Sequence, residues 1–201
     1  LAEDEDRWIR RYVAAHPSTP EALRVSIVRE LAGSGYWWSS DQRELAKSPF
    51  MPSSVLDQMA KEDDSDVRES IAKNPVAPGK ILGDLAKDER WLVRTAVAGN
   101  PETPAALLQV LATDTNSSVR SAVAKNPTAS VAVFEALALD EDRWVRSNVA
   151  GNPSTPEVLR LKLLQALVQE EDAHVRYEVF QNPSTPAALR LNLLEELAKD
   201  K

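Results

Sequence analysis

Cysteine is absent from all 201 residues, which removes disulfides, thiolate zinc sites, iron–sulfur clusters and cysteine nucleophiles together. Histidine is nearly absent: His16 and His174 are the only two, far apart in sequence, and neither forms a catalytic triad or a metal cluster with nearby residues. Both are expected to be solvent-facing or capping residues. No apolar run approaches the roughly 20 residues of a membrane helix, and the N-terminus lacks a signal-peptide pattern. The six glycines include no phosphate-binding loop, and no acidic turn has calcium-loop spacing. With 24 basic against 31 acidic side chains the net charge is −7, which weighs against binding nucleic acid by charge alone. These absences predict a chain that is not an enzyme, needs no cofactor or metal, avoids membranes and resides in the cytoplasm.

The apolar share, 43%, is that of a folded chain, and one residue type is conspicuously organised. The 13 prolines stand at 17, 20, 49, 52, 75, 78, 101, 104, 127, 153, 156, 183 and 186. They come in pairs three apart, and the first of each pair recurs after 32, 26, 26, 26, 26 and 30 residues. Ser130 fills the only empty slot of the seven motifs. Self-similarity at such a period marks a solenoid. The expectation is a single repeat array over 1–201, with units centred on Pro17, Pro49, Pro75, Pro101, Pro127, Pro153 and Pro183.

Each unit has the same local logic. Seven residues before the first proline stands Arg10, Arg68, Arg94, Arg120, Arg146 or Arg176, with Gln42 the exception. Four residues before it stands an aliphatic residue such as Val97, Val123 or Val149. Pairs such as Val119 and Val123 give one apolar helical face. Asp6, Asp64, Asn116, Asp142 and Asp172 lie just upstream, where a side-chain oxygen caps free amides. Asn74, Asn100, Asn126, Asn152 or Asn182 precedes the proline directly, with His16 and Ser48 in the first two units. This step ends the helix, because proline pushes its predecessor out of the α region. Thr-Pro, as at Thr103-Pro104 and Thr155-Pro156, then opens a second, leucine-rich helix, with threonine as its expected cap and proline at its first position.

The 30- and 32-residue intervals add about one helical turn to the second helix after Pro156 and Pro20; the helix after Pro186 has the long form too. A local change in superhelix curvature is expected near the first and sixth motifs. Both chain ends fall at the same phase of the repeat, which reads as part of a longer protein.

The unit Val-Arg-x-x-Val-Ala-x-Asn-Pro-x-Thr-Pro, followed by a leucine-rich helix and a Leu-Ala-x-Asp turn, resembles the leucine-rich repeat variant family. Its Asp-x-x-Val-Arg part also looks like the second helix of HEAT repeats. The resemblance rests on seven copies along essentially the whole chain. It implies an all-α, right-handed α-solenoid of seven helix-turn-helix repeats, in which α-helices alternate with short 3₁₀ helices. This sequence departs from the family in two ways. It cannot hold the cysteine-bound cluster of the founding member, and its unit of 26 residues is longer than usual, which favours true α-helices in the segments before Asn-Pro.

Three sets of residues are candidates for a role. The arginines Arg10, Arg68, Arg94, Arg120, Arg146 and Arg176 read as a structural ladder, bonded to aspartates or carbonyls of neighbouring units, with Asp64, Asp88, Asp114 and Asp140 as partners. The alternative is a basic stripe facing solvent. Acidic turns, among them 62–66 and 140–142, would line one edge and suit a basic partner. Trp8, Trp91 and Trp144 near the Val-Arg pair, and Tyr36, Trp37 and Trp38 in the insertion at 33–40, are possible partner contacts as well as packing residues. The function these features point to is a non-enzymatic scaffold binding a protein or peptide. The alternatives are a HEAT-like nucleic-acid binder or base-excision enzyme, and a spacer or regulatory array attached to another domain.

Overall fold

Among the described residues fourteen helices follow one another: α1 (Arg7–Ala15), α2 (Glu21–Gly33), α3 (Ser39–Ala46), α4 (Ser53–Met59), α5 (Ser65–Ala72), α6 (Gly79–Leu85), α7 (Trp91–Gly99), α8 (Ala105–Leu111), α9 (Ser117–Lys125), α10 (Val131–Leu137), α11 (Arg143–Gly151), α12 (Glu157–Leu167), α13 (Ala173–Gln181) and α14 (Ala187–Leu197). The computed structural model describes residues 7–33, 39–169 and 172–197, and among these there is no strand. The architecture is all-α, an α-solenoid of paired short helices. The chain divides into two compact units, Leu1–Pro104 and Ala105–Lys201, holding α1–α7 and α8–α14. In the first, α5 packs between α3 and α7; in the second, α11 packs on α9, α12 and α13.

Most helices run only seven to nine residues, too short to persist alone in water, so burial of their apolar faces must hold them. The pairs Val67/Ile71, Val93/Val97, Val119/Val123, Val145/Val149 and Val175/Val179 are fully or almost fully buried, four residues apart on the odd-numbered helices. Leu82/Leu85, Leu108/Leu111, Phe134/Leu137 and Leu164/Leu167, three residues apart, are buried on the even-numbered ones. The inserted turn appears as expected: α12 and α14 have 11 residues where α4, α6, α8 and α10 have seven.

Asp64, Asn116, Asp142 and Asp172 each accept the amide two residues on, at 2.8 to 2.9 Å, which caps the odd-numbered helices. Asp6 lies outside the described residues. The 3₁₀ helices implied by the family resemblance are not found as separate elements among the described residues. Bonds of that spacing occur at helix starts, at helix ends and in the turns, as in Val119 N to Asn116 O (3.0 Å), Asn126 N to Val123 O (3.0 Å) and Thr103 N to Asn100 O (3.1 Å); the one before the proline closes a helix that the proline stops.

The start of the second helix differs from expectation. Pro52, Pro78 and Pro156 occupy the cap position itself, with no side-chain cap bond, and the helix begins one residue later. Threonine points backwards instead: Thr155 Oγ1 donates to Val149 O at 2.7 Å, and Thr19, Thr103 and Thr185 do likewise to Val13, Val97 and Val179. Each of these carbonyls already accepts the backbone amide three residues on, as Val97 O does from Asn100 N, and the tight turn brings the hydroxyl to its second lone pair.

Within each unit, the asparagine that ends an odd-numbered helix ties that helix pair to the preceding one. Asn100 Nδ2 donates to Ala72 O (2.7 Å) and Asn74 O (2.9 Å); Asn152 Nδ2 donates to Ala124 O (2.8 Å) and Asn126 O (3.1 Å). Asn74 makes the equivalent pair to Ala46 O and Ser48 O. Each carboxamide oxygen accepts the amide two residues on, at 2.9 Å for Asn74, Asn100 and Asn152. All three side chains are at least 97% buried.

Where this asparagine is lacking, an arginine takes its acceptors. Ser48 stands in the asparagine slot and reaches only Ala15 O, at 3.4 Å. Arg24, in the extra turn of α2, donates from Nε to Ala14 O (2.8 Å) and from Nη2 to His16 O (2.9 Å). These are the two carbonyls an asparagine at position 48 would occupy. Arg190, equivalent in α14, donates to Asn182 O at 3.0 Å. Arg160 in α12 sits where Asn182 already holds Ala150 O (3.2 Å), and it turns to Pro153 O and Thr155 O instead. The short helices have buried Leu56, Leu82, Leu108 or Phe134 at this position.

Asn152→Ala removes two buried hydrogen bonds, to Ala124 O and Asn126 O, together with the acceptor of the Ser154 amide, and is expected to cost roughly 2–4 kcal/mol, read as a lower urea midpoint. Arg24→Ala should destabilise the first unit, and adding Ser48→Asn should restore most of the loss. Additive effects of the two substitutions in thermal melts would show that the arginine does not replace the amide.

Candidate interaction surface

The arginine column follows from its place beside the valine stripe: the stem lies against the apolar face and the head reaches the adjoining turns. Arg68 forks onto Asp88, Nε to Oδ2 at 2.6 Å and Nη2 to Oδ1 at 3.1 Å, while Nη1 donates to Glu62 O and Asp63 O. Arg120 repeats this on Asp140 at 2.7 and 2.9 Å, with Nη1 on Asp114 O at 2.9 Å. Arg94 and Arg146 donate to Asp88 O and Asp140 O, both at 2.7 Å. Arg10 pairs with Glu30 at 3.6 Å. Arg176 lies half-buried on α13. Gln42, in the arginine slot of α3, is buried. Asp64 serves as the cap of α5, and Asp114 Oδ1 accepts Asn116 N at 2.8 Å.

Asp88 and Asp140 sit at the centre of this arrangement, each with its side chain 6% exposed. Burial alone would push both carboxyls up. The arginine fork, a backbone amide (Arg90 or Asp142) and a second arginine (Arg94 or Arg146) overcome that and hold both below the usual aspartate value.

The aromatic candidates divide. Tyr36, Trp37 and Trp38 lie outside the described residues, as does the side chain of Trp8. Trp91 opens α7 with 41% of its surface exposed, beside exposed Leu92. Trp144, the second residue of α11, is half-buried, and its ring meets His174 with centroids 5.2 Å apart and planes at 60°. His174 in turn stacks on Tyr177 at 6.4 Å and 18°. His174 is therefore neither an isolated turn residue nor a cap: it lies in the first turn of α13 and links two aromatic rings. Its contact follows from register, since Trp144 and His174 each stand two residues before the column arginine of adjacent packed helices. Tyr177 joins them at i+3 on the same helix face. His16 behaves as a stand-in for asparagine, its Nδ1 accepting Ser18 N at 3.2 Å.

Around this strip, Arg143 lies 5.8 Å from the Trp144 ring centroid and pairs with Asp172. Asp172 is held below its usual range by the His174 amide and by the charge of Arg143. A surface recess of about 410 Å³ opens between Glu141, Asp142, Arg143, Trp144 and Arg146. Among the described residues no group of three or more His, Asp or Glu side chains is placed to hold a metal, and no helix is long and apolar enough to cross a membrane.

The paired short helices, their asparagine junctions and the arginine column define an α-solenoid repeat protein. The fold is that of a leucine-rich repeat variant: a solved structure of such a protein, described as having a novel repetitive structural motif, matches with a TM-score of 0.58 and 25% sequence identity over 90% of this chain and 68% of the other. No family model matches the chain, and no curated protein matches it.

The lowered carboxyls set a pH dependence. The Arg68–Asp88 and Arg120–Asp140 pairs contribute stability that is complete above the ordinary aspartate value near 3.8 and is lost as pH falls through the lower folded-state value. Melting temperature should therefore drop as pH goes below about 4, and Asp140→Asn should flatten that limb while lowering the melting temperature at neutral pH.

Proposed function

We propose that this chain is a non-enzymatic scaffold that binds a protein or peptide, and that the Trp144–His174–Tyr177 strip of the second unit is its contact surface. The observation that carries this reading is the exposure of the strip: Tyr177 is 46% exposed and the His174 side chain 65%, although the core beside them is closed. Aromatic side chains next to arginine are the residues that dominate interface energetics, and repeat proteins present such positions on successive units. The arginine column supports a binding role over a catalytic one, because its described bonds commit the guanidiniums to carboxylates and carbonyls of the fold. A chain without cysteine suits the reducing cytoplasm, where this reading places it.

Selection of peptides from a random display library against the intact chain tests the proposal. Trp144→Ala and Tyr177→Ala should each weaken a selected peptide by about tenfold or more, the loss expected of a hot spot, with melting temperature nearly unchanged. Selected peptides whose affinity ignores both substitutions would remove the strip as the contact surface.

A further inference from the structure

The charges around the strip identify the chemistry of its partner, an inference that rests on the contact surface proposed above. Glu141 has a side chain 88% exposed, touched only at its edge by Arg120 Nη2 at 3.3 Å. Asp142 lies beside Trp144 as the cap of α11, and Glu178, 47% exposed, follows Tyr177 on α13. The cations nearby are Arg120, Arg143, Arg146 and Arg176, the last half-buried on α13. Arg143 is neutralised by Asp172, the Arg120 side chain is only 10% exposed and forked onto Asp140, and Arg146 donates to Asp140 O and Glu141 O. Around the strip stand five carboxylates, Asp140, Glu141, Asp142, Asp172 and Glu178, against four arginines, Arg120, Arg143, Arg146 and Arg176. The most exposed of these charges, Glu141 and Glu178, are acidic, within a chain of net charge −7.

We propose that this surface binds a basic peptide segment, with one lysine or arginine head placed over the Tyr177 face beside Glu178 and another paired with Glu141 and Asp142. At Tyr177, cation–π attraction and carboxylate pairing act on the same head group, which neither an acidic segment nor a purely apolar one would exploit. Arg143 already holds its guanidinium over the Trp144 ring, 5.8 Å from the centroid, so the open aromatic face is that of the exposed Tyr177, and the head that enters at Trp144 pairs with Glu141 and Asp142. The surface also implies a spacing. Its two anchoring regions, the recess at Trp144 on α11 and the Tyr177–Glu178 pair on α13, belong to neighbouring packed helices, whose axes lie roughly 8–10 Å apart. An extended peptide advances about 3.3 Å per residue, so cations about three residues apart fit both anchors.

Fluorescence anisotropy with four labelled probes and the intact chain tests this: a twelve-residue peptide with arginine or lysine at every third position, the same peptide with glutamate there, the same with glutamine, and a single-stranded RNA. The basic peptide should bind best, by about tenfold over the glutamine version, and should weaken as salt rises from about 50 to 200 mM. Glu141→Gln combined with Glu178→Gln should remove most of that advantage while melting temperature and glutamine-peptide binding stay unchanged. Equal binding of the basic and glutamine peptides, with Trp144→Ala weakening both, would overturn the basic partner and leave the scaffold standing. Tighter binding of the glutamate peptide or the RNA would also overturn it. Binding of no peptide by the wild-type chain, together with library peptides indifferent to Trp144→Ala, would sink both readings.

Discussion

A buried primary amide, bonded on three sides, is the contact on which the rest depends. Apolar faces draw the short helices together, but area alone does not fix which helix meets which or at what height. Asn74, Asn100 and Asn152 set that height within their units, because their amide hydrogens bond two carbonyls of the preceding pair and their oxygens accept the amide of their own turn. A buried polar group left without partners is costly, so a slipped stacking would carry that penalty at each such junction. Valine and leucine supply the driving force, and asparagine supplies the register.

Arginine does two separate jobs in the same framework. In the column, Arg68 and Arg120 join one acidic turn to the next and keep their aspartates charged although nearly buried. In the long helices, Arg24 and Arg190 reach carbonyls of the asparagine type of junction. The two sets respond to different surroundings: the column requires a carboxylate partner, while the long-helix arginine requires only carbonyls not already taken. Arg160 shows the second rule by contrast, since Asn182 has claimed Ala150 O and the guanidinium turns to Pro153 and Thr155. The extra turn thus changes the chemistry of a junction as well as the length of a helix.

The period of the prolines made the helix pairs, their buried faces and the lengthened α12 and α14 legible before any coordinates, because each is a local consequence of spacing. Asp64, Asn116, Asp142 and Asp172 were legible as caps for the same reason. Threonine was half-legible: a hydroxyl before a helix suggests a cap, yet the Val149 carbonyl lies within reach of the same group, and sequence does not say which wins. The asparagine amides were seen only as helix stops, since their acceptors lie 26 to 28 residues away. The arginine of the inserted turn was hidden in the same way. At the candidate surface, Trp144 was visible as an aromatic beside the Val-Arg pair, but its neighbour was missed by reading His174 alone. Comparing the slot two residues before each column arginine would have paired them.

The asparagine-proline step has a chemical consequence as well as a geometric one. An asparagine side chain ages by deamidation when the nitrogen of the following peptide bond attacks its carbonyl and closes a succinimide ring. That nitrogen must carry a hydrogen, and in Asn74-Pro75, Asn100-Pro101, Asn126-Pro127, Asn152-Pro153 and Asn182-Pro183 it belongs to proline and has none. The residue that halts each helix therefore also blocks this route to an aspartate, which would bring a buried charge into the junction.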